Sequence, residues 1–520
     1  MKEFKDNIVR LLTEAATTLP ADVRRALGVA QRAETPCTPA DRALRAMALN
    51  ADLARQLGDP ICQDTGIPSF VIKVPVGVDQ LLISQWIGEA VAEAPRAGLL
   101  RPGSVDSLTG RQRGDNLGSG TPRVSFEQWL SDDIEVRLLL RGGACDTESR
   151  QYALPSQLPP FGWLERDLDG VKKCVWHAVQ AAQGRACAPG IVGVAIGGER
   201  GSGYELAGLQ LLRPLDDTNP EPRLARLEAE ILEGANTLGI GSMGLGGRAT
   251  LSGCKIGVLN HLPSNVFVSV AYNCWALRRA GALLDGKTGA WKRRLYQDPG
   301  ALPGLAPSEW LPGSGREIRL TIPLSEDQAR GLQVGDVVLL SGVVHTGRRT
   351  VHHYLASHDA PLRLRGGVLY HCSPRATKRG EEWLVSAAGP ETSRTEEPYV
   401  ADLIRTFGLR AVMGKGGMGS RTLQALRECG AVYLSAVGGA AELYARHVVK
   451  VEGVDLLAFG PAQALWRLRV REFPAIVTMD SHGRSLHAEV ERASAQALLR
   501  LTGPDARSAS VPKTASGGRA

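Results

Sequence analysis

Between Gly286 and Arg316 the chain carries prolines at 299, 303, 307 and 312 among scattered glycines. Proline fixes φ and removes a hydrogen-bond donor, so neither a helix nor a central strand runs through such spacing. One continuous sheet or bundle is therefore not expected to span it. Residues 283–315 are expected to connect a domain over 1–282 to a domain over 316–502. Residues 503–520, rich in Ser, Ala, Gly and Lys, are expected to form a disordered tail. With 520 residues in all, each part has enough chain to bury a core of its own.

The two parts carry different patterns. In the first, Ile8, Leu11, Leu12 and Ala15 share one face of a helix that ends before Pro20, and a second helix runs from Ala43 to Leu57. Ser69–Val74, Asp133–Leu140 and Ile191–Ile196 read as strands. Leu224, Leu227, Ile231 and Leu232 make a Pro-initiated amphipathic helix over 222–238. This irregular mixture is α+β. In the second part, strands at Glu317–Leu324, Asp336–Val344, Arg410–Met413, Ala431–Ala436 and Ala475–Met479 alternate with helices at Ser420–Glu428 and Ala440–Lys450. That order gives a smaller α/β domain.

Charge and composition narrow the partners. The net charge of +7 is moderate for this length, aromatics are 5%, and no basic run is interleaved with aromatics, so nucleic acid is not the expected partner. A basic balance also suits a small dianionic substrate. The N-terminal residues lack the apolar core of a signal peptide, and no stretch approaches the ~20 apolar residues of a membrane span. The expected location is cytoplasmic, where the nine cysteines stay reduced. Glycine is abundant, 60 of 520, in short clusters without a period, which points to tight loops where backbone approaches something closely.

Two glycine clusters invite nucleotide readings, and both fail on context. Gly239-Ile240-Gly241-Ser242-Met243-Gly244 has dinucleotide-fingerprint spacing, but a helix precedes it where a strand is required, so it reads as a turn. Met413-Gly414-Lys415-Gly416-Gly417-Met418-Gly419-Ser420 lies between a strand and a helix, where free N–H groups and a lysine make an anion site. Its lysine precedes most of the glycines, unlike a P-loop. The cysteines lack zinc-finger spacing, so each reads first as a small buried hydrophobe. Cys62, Cys187 and Cys274 differ in lying at junctions between loops and regular elements. Cys62 sits in Cys62-Gln63-Asp64-Thr65-Gly66, Cys187 precedes Pro189-Gly190, and Cys274 follows Asn273 at the start of a helix-like run.

These segments, with others in one order, resemble the iron–sulfur hydro-lyases of the class I fumarase and L-tartrate dehydratase type. The resemblance runs from about residue 40 to 490. It includes Asp59–Gly66, Arg101-Pro102, Gly114-Asp115-Asn116, Cys187–Gly198, Gly244–Gly247, Asn273-Cys274, Pro323–Glu326, Val334–Val337, Gly389-Pro390, Gly414–Gly416 and Phe473-Pro474-Ala475. It implies an N-terminal iron–sulfur domain and a C-terminal domain of swivelling β/β/α type, fused in one chain that forms a homodimer. By matching position, Cys62, Cys187 and Cys274 would be three thiolate ligands of a 4Fe–4S cluster whose fourth iron stays open. Gln63, Arg101, His261, Arg348, Arg394 and Lys415 would bind a small C4 dicarboxylate, and Asp64 and Glu391 would move the proton.

One stretch departs from the family. Where relatives read Gly-Pro-Thr-Thr, two more residues and then Arg-Met-Asp, this chain reads Gly389-Pro390-Glu391-Thr392-Ser393-Arg394-Thr395-Glu396-Glu397. Glu391 replaces a threonine implicated in proton transfer, and Thr395 replaces an arginine, with Arg394 one place early. Ala144-Cys145-Asp146 likewise replaces Gly-Ser-Glu. The expected reaction is hydration of fumarate to malate. Dehydration of L-tartrate or another 2-hydroxy dicarboxylate stands beside it, as does an altered paralogue with a sensing or binding role.

Overall fold

The structure is a computed structural model that describes residues 3–297, 304–305 and 317–501. The helix Phe4–Thr17 begins the first part. Its Ile8, Leu11, Leu12 and Ala15 are fully buried, as their spacing predicts. That stripe covers one face of a five-stranded sheet, on which Phe70, Ile72 and Val74 of the strand Ile67–Val74 alternate inward. Each such side chain contributes about 1.5–3 kcal/mol by leaving water. Edge to edge the sheet runs Trp291–Leu295, Arg278–Asp285, Asp133–Arg141, Ile67–Val74, Arg123–Gln128. A second sheet, of four strands, runs Arg150–Leu154, Val266–Asn273, Gly190–Ile196, Leu251–Val258. The helices Leu168–Ala182 and Pro222–Thr237 cover it. They close on each other because Gly234 has no side chain: a Cβ there would stand 2.4 Å from the Trp176 ring.

The second part is a seven-stranded sheet. Its middle strands, Val368–Tyr370, Ala411–Gly414 and Val432–Ser435, are parallel, and crossover helices such as Glu397–Phe407 and Ser420–Cys429 make the connections. The strand Leu465–Met479 pairs antiparallel with Val337–Thr346, Val432–Ser435 and Val448–Asp455, shifting register as it passes. The last helix, Leu486–Arg500, leaves this sheet. Its Val490, Ala497 and Leu498 join the core that contains the Leu168–Ala182 helix.

Three expectations are corrected. The expected connection over 283–315 begins too early, because Arg278–Asp285 and Trp291–Leu295 are paired strands of the first sheet. The expected helix Ala440–Lys450 is one short helix, Ala441–Ala445, followed by the strand Val448–Asp455. The β-branched Val448, Val449 and Val451 favour a pleated surface there. The run after Cys274 is irregular and then strand, not helix. The expected tail over 503–520 and most of the proline-rich segment lie outside the described residues. Among the described residues no helix is long and apolar enough to cross a membrane.

Candidate active site where the two parts meet

Three loops of the first part deliver thiols to one place. Cys62 lies in the turn between the helix Pro39–Leu57 and the strand Ile67–Val74. Cys187 sits just before the strand Gly190–Ile196 with φ of 59°, in the left-handed region, and its carbonyl accepts the Trp275 N–H at 3.2 Å. That bond brings Cys274, at the end of the strand Val266–Asn273, alongside. The second part supplies Lys415, whose Nζ donates to the Cys187 Sγ at 2.9 Å. Burial opposes the charge on Lys415, but the Cys187, Cys145 and Cys62 thiols around it outweigh burial and hold the amine above its ordinary range. Burial pushes the Cys62 thiol up to about 11, with Arg278 and Lys415 pulling the other way.

A fourth thiol is present that spacing did not single out. Cys145 is 4% exposed and lies beside Cys274, whose thiol donates to the Ala276 carbonyl at 3.7 Å; the interaction between the two sulfurs holds Cys145 below and Cys274 above the usual thiol range. Its only sequence signal was the atypical residues after Gly142-Gly143. Arg278 was also missed. Fully buried, it donates to the Cys62 carbonyl at 3.3 Å and the Asp64 carbonyl at 2.5 Å, so it holds that turn in place.

Backbone approaches this centre closely from the second part. A Cβ on Gly438 would stand 2.4 Å from the Cys187 Sγ and 2.8 Å from Lys415 Cδ. Among the described residues no three His, Cys, Asp or Glu side chains converge tightly enough for a single metal ion. The donor set is instead several sulfurs spread around one buried cation, with glycine backbone opposite. That chemistry suits an iron–sulfur cluster, which takes thiolates around a larger body.

Next to the loop that carries Cys62, two adjoining cavities of about 480 and 490 Å³ share Asp64, Arg101 and Gly143. Arg348, Glu391 and Arg394 line the second. Arg101 Nη1 donates to Glu391 Oε1 at 3.1 Å, and Arg348 Nη1 lies 3.8 Å from the same oxygen. Burial raises the Glu391 carboxyl, but Arg348, Arg101 and Lys415 outweigh it and keep the group below the usual carboxylate range. Glu391 is thus an ionised carboxylate lodged between two arginines. Asp64 accepts the N–H groups of Gly143 and Ala144 at 3.3 and 3.4 Å.

The other expected site residues divide. Gln63 uses both ends of its amide on Gly389, donating to its carbonyl at 2.7 Å and accepting its N–H at 2.8 Å, so it clasps the two parts together. His261 does not join the cavities. It sits on the exposed loop between Leu251–Val258 and Val266–Asn273, with its ring on the Leu262 carbonyl at 2.8 Å. The anion site expected at the start of the helix Ser420–Cys429 has an internal occupant, Glu397, which accepts the N–H groups of Gly419 and Thr422 at 2.7 and 3.1 Å.

A buried chain of hydrogen bonds backs the cavity. The Arg348 carbonyl only accepts, so His352 Nδ1 donates to it at 2.7 Å. Burial lowers His352 to about 4, so its Nε2 is a free acceptor that takes the His371 Nε2–H at 3.1 Å. His371, lowered by burial too, then accepts at Nδ1 from Ser393 Oγ at 2.7 Å. Tyr433 donates to Ser393 at 2.8 Å. Each donor direction follows from its neighbour, and the chain holds Arg348 from behind.

Comparison with known proteins agrees with this arrangement. The family model for fumarate hydratase (Fumerase) matches residues 5–282, and the fumarase C-terminus model matches residues 289–490. A Geobacillus stearothermophilus protein, provisionally named a class I fumarate hydratase, is 50% identical over 97% of this chain and 99% of its own. The L(+)-tartrate dehydratase subunit alpha of Escherichia coli K12 is 34% identical over 52% of this chain and 86% of its own. A Methanocaldococcus jannaschii protein, provisionally named as the same subunit, is 32% identical over 54% of this chain and 96% of its own. Both subunits match about half of the chain. With family models matching both parts and one relative matching nearly its full length, the chain belongs to the class I fumarate hydratase family of hydro-lyases.

Proposed function

We propose that the protein adds water reversibly across fumarate to give malate, using a 4Fe–4S cluster held by Cys62, Cys187 and Cys274. The observation that carries this reading is the gathering of Cys62 and Cys187 around buried Lys415, with Cys274 next to Trp275, whose N–H holds the Cys187 carbonyl, and with Glu391 of the cavity lined by Arg101 and Arg348 within electrostatic reach of Lys415. The cluster, when bound, supplies Lewis acidity that makes hydroxide a tolerable leaving group. Arg101, Arg348 and Arg394 hold the substrate carboxylates, bidentate where a guanidinium faces one squarely. Entry of a dicarboxylate displaces Glu391 from the arginine pair. Glu391 then faces the substrate as a carboxylate freed from its counter-charges, a stronger base than before, and takes the C3 proton in the dehydration direction. Asp64, fixed by two backbone N–H groups, orients the substrate hydroxyl. In this reading the two parts are the family's α- and β-type domains, the second of swivelling β/β/α type, working as a cytoplasmic homodimer.

The test is anaerobic reconstitution with iron and sulfide, followed by assay with fumarate. Bound iron and sulfide, a broad visible absorption and hydration of fumarate are expected. Failure of the intact chain to take up a cluster would overturn the reading. A second substrate is favoured by Glu391, whose charge lies where relatives carry threonine. Faster turnover of either tartrate enantiomer or of mesaconate than of malate and fumarate would move the assignment to that acid.

A further inference from the structure

Arg101 stands at the start of a long surface loop between the helix Gln80–Glu93 and the strand Arg123–Gln128. From Arg101 to Pro122 the described chain contains no helix or strand, and its backbone pairing amounts to the single bridges Val105–Gln112 and Gly118–Thr121. Val105 is 53% and Leu108 97% exposed. Segments with so few buried contacts open easily, and an arginine carried on one would sweep a wide volume. Arg101 nevertheless meets Glu391 at 3.1 Å, and its neighbour Gly103 lines the first cavity. Something holds this end of the loop in place.

Two buried polar side chains grip the backbone of Arg101 from opposite sides. Thr65 Oγ1 accepts the Arg101 N–H at 3.2 Å. Thr65 belongs to the turn that carries Cys62 and Asp64, so this bond ties the loop to the sulfur side of the site. Asn116 Nδ2 donates to the Arg101 carbonyl at 3.1 Å, while Asn116 Oδ1 accepts the N–H groups of Gly103 and Ser104 at 2.6 and 3.2 Å. Pro102 has no N–H, so each N–H from Arg101 to Ser104 has its acceptor. The amide orientation follows from these partners: two N–H groups need an oxygen and one carbonyl needs a donor, and a single carboxamide offers both. Asn116 is 4% exposed, the buried residue of a stretch from 101 to 122 that is otherwise exposed or half-buried. Its φ of 58° lies in the left-handed region, which Asn enters more readily than most residues.

We propose that Asn116 is a positioning residue of the site: it folds the loop back on itself so that the Arg101 guanidinium is presented at the cavity, to Glu391 in the free protein and to a carboxylate of the substrate when one enters. Asn116 touches neither, and acts through Arg101 alone. Prepositioning the guanidinium removes the cost of ordering it at each binding event, so the amide contributes to affinity for the acid and not to the bond-breaking step. The part played by Arg101 toward a substrate rests on the hydratase reading; the hold of Asn116 on Arg101 does not.

The test is a double-mutant cycle in the full chain with Asn116→Gly, Arg101→Met and the double variant. Glycine accepts the positive φ, so the first change removes the amide without straining the backbone. Without substrate, the shift of the urea midpoint caused by Arg101→Met should shrink by about half or more when Asn116 is already replaced. Equal shifts in the two backgrounds would overturn the hold on Arg101. In the reconstituted chain, Asn116→Gly should raise KM for fumarate and malate on the order of tenfold, with kcat kept within about threefold and the visible absorption unchanged. In the Arg101→Met background the same change should leave KM within about twofold. An equal rise of KM in both backgrounds, or a fall in kcat with KM unchanged, would overturn the positioning role. A coupled midpoint in a chain that turns over neither acid would sink the hydratase reading and leave Asn116 as the holder of Arg101.

Discussion

The two parts of the molecule bury polar groups in opposite ways. The first buries arginines: Arg24, Arg278 and Arg279 are each about 1% exposed. A guanidinium does not shed its proton, so each needs acceptors, and each has them: Asp52 for Arg24, Asp22 and the Leu211 carbonyl for Arg279, and turn carbonyls for Arg278. The second part buries imidazoles. His345, His352 and His371 are 7%, 0% and 1% exposed, and burial drives each toward its neutral form. One part is therefore held by permanent charge and the other by groups whose neutrality depends on pH. At the junction the first part offers sulfur and the second offers cations and backbone.

The largest effect should come from dividing that junction. Cys187→Ser is expected to abolish both the visible chromophore and turnover. Lys415→Met should keep the chromophore while lowering kcat by about a thousandfold or more, as expected for loss of a preorganised charge. Loss of the chromophore in both variants would erase the proposed difference between the parts.

Next in size is the buried ion pair of the first part. Asp22→Ala leaves Arg279 buried without its carboxylate and should cost about 3–5 kcal/mol. Chemical denaturation measures it, and a change under 1 kcal/mol would mean that the Leu211 carbonyl alone satisfies Arg279.

The second part should answer to acid instead. His352 stands near 4 in the folded chain, against 6.5 as its ordinary value, so between those values the unfolded chain binds more protons. Its contribution is complete above about 6.5 and declines as pH falls toward 4, by about 3 kcal/mol at most. Stability measured at pH 7 and pH 4.5 should fall less in His352→Gln than in the parent; equal slopes would exclude the buried imidazole as a source of acid sensitivity.

The smallest effect concerns Cys145. It touches Cys274 but is not among the three proposed ligands, so Cys145→Ser should leave turnover within a few-fold and alter the lifetime of the chromophore in air. An unbleached, unchanged decay would assign Cys145 to packing alone.

Legibility in the sequence followed the range of the interaction. The helices Phe4–Thr17 and Pro222–Thr237 were readable because each repeats its apolar face every three or four residues, a pattern contained within the helix itself. The strand Leu465–Met479 was readable only in its last five residues. Upstream, Arg467, Arg469 and Arg471 alternate with Leu468 and Val470 in a stretch whose partners set the pairing. The strands within 150–164 and 251–273 were not legible, being short or uniformly apolar. Of the proposed site, the three cysteines, Arg101, Arg348 and Lys415 were named through the order of short motifs. Arg278 and the His352–His371 pair were not, because nothing in their neighbouring residues distinguishes a site from a core, and Cys145 was marked only by the atypical residues around it, which carry no role by themselves.

By itself, then, the sequence determined the local elements, the division near the prolines and the chemical types available for a site. Only the tertiary structure decided which of them meet. Lys415 reaches Cys187 across 228 residues, and Arg101 reaches Glu391 across 290. Those meetings depend on Gln63 clasping Gly389 and on the helix Leu486–Arg500 packing against the first part. Local periodicity records which face of an element leaves water, whereas the partner it meets is settled by the shape and unsatisfied hydrogen bonds of a surface assembled from the whole chain.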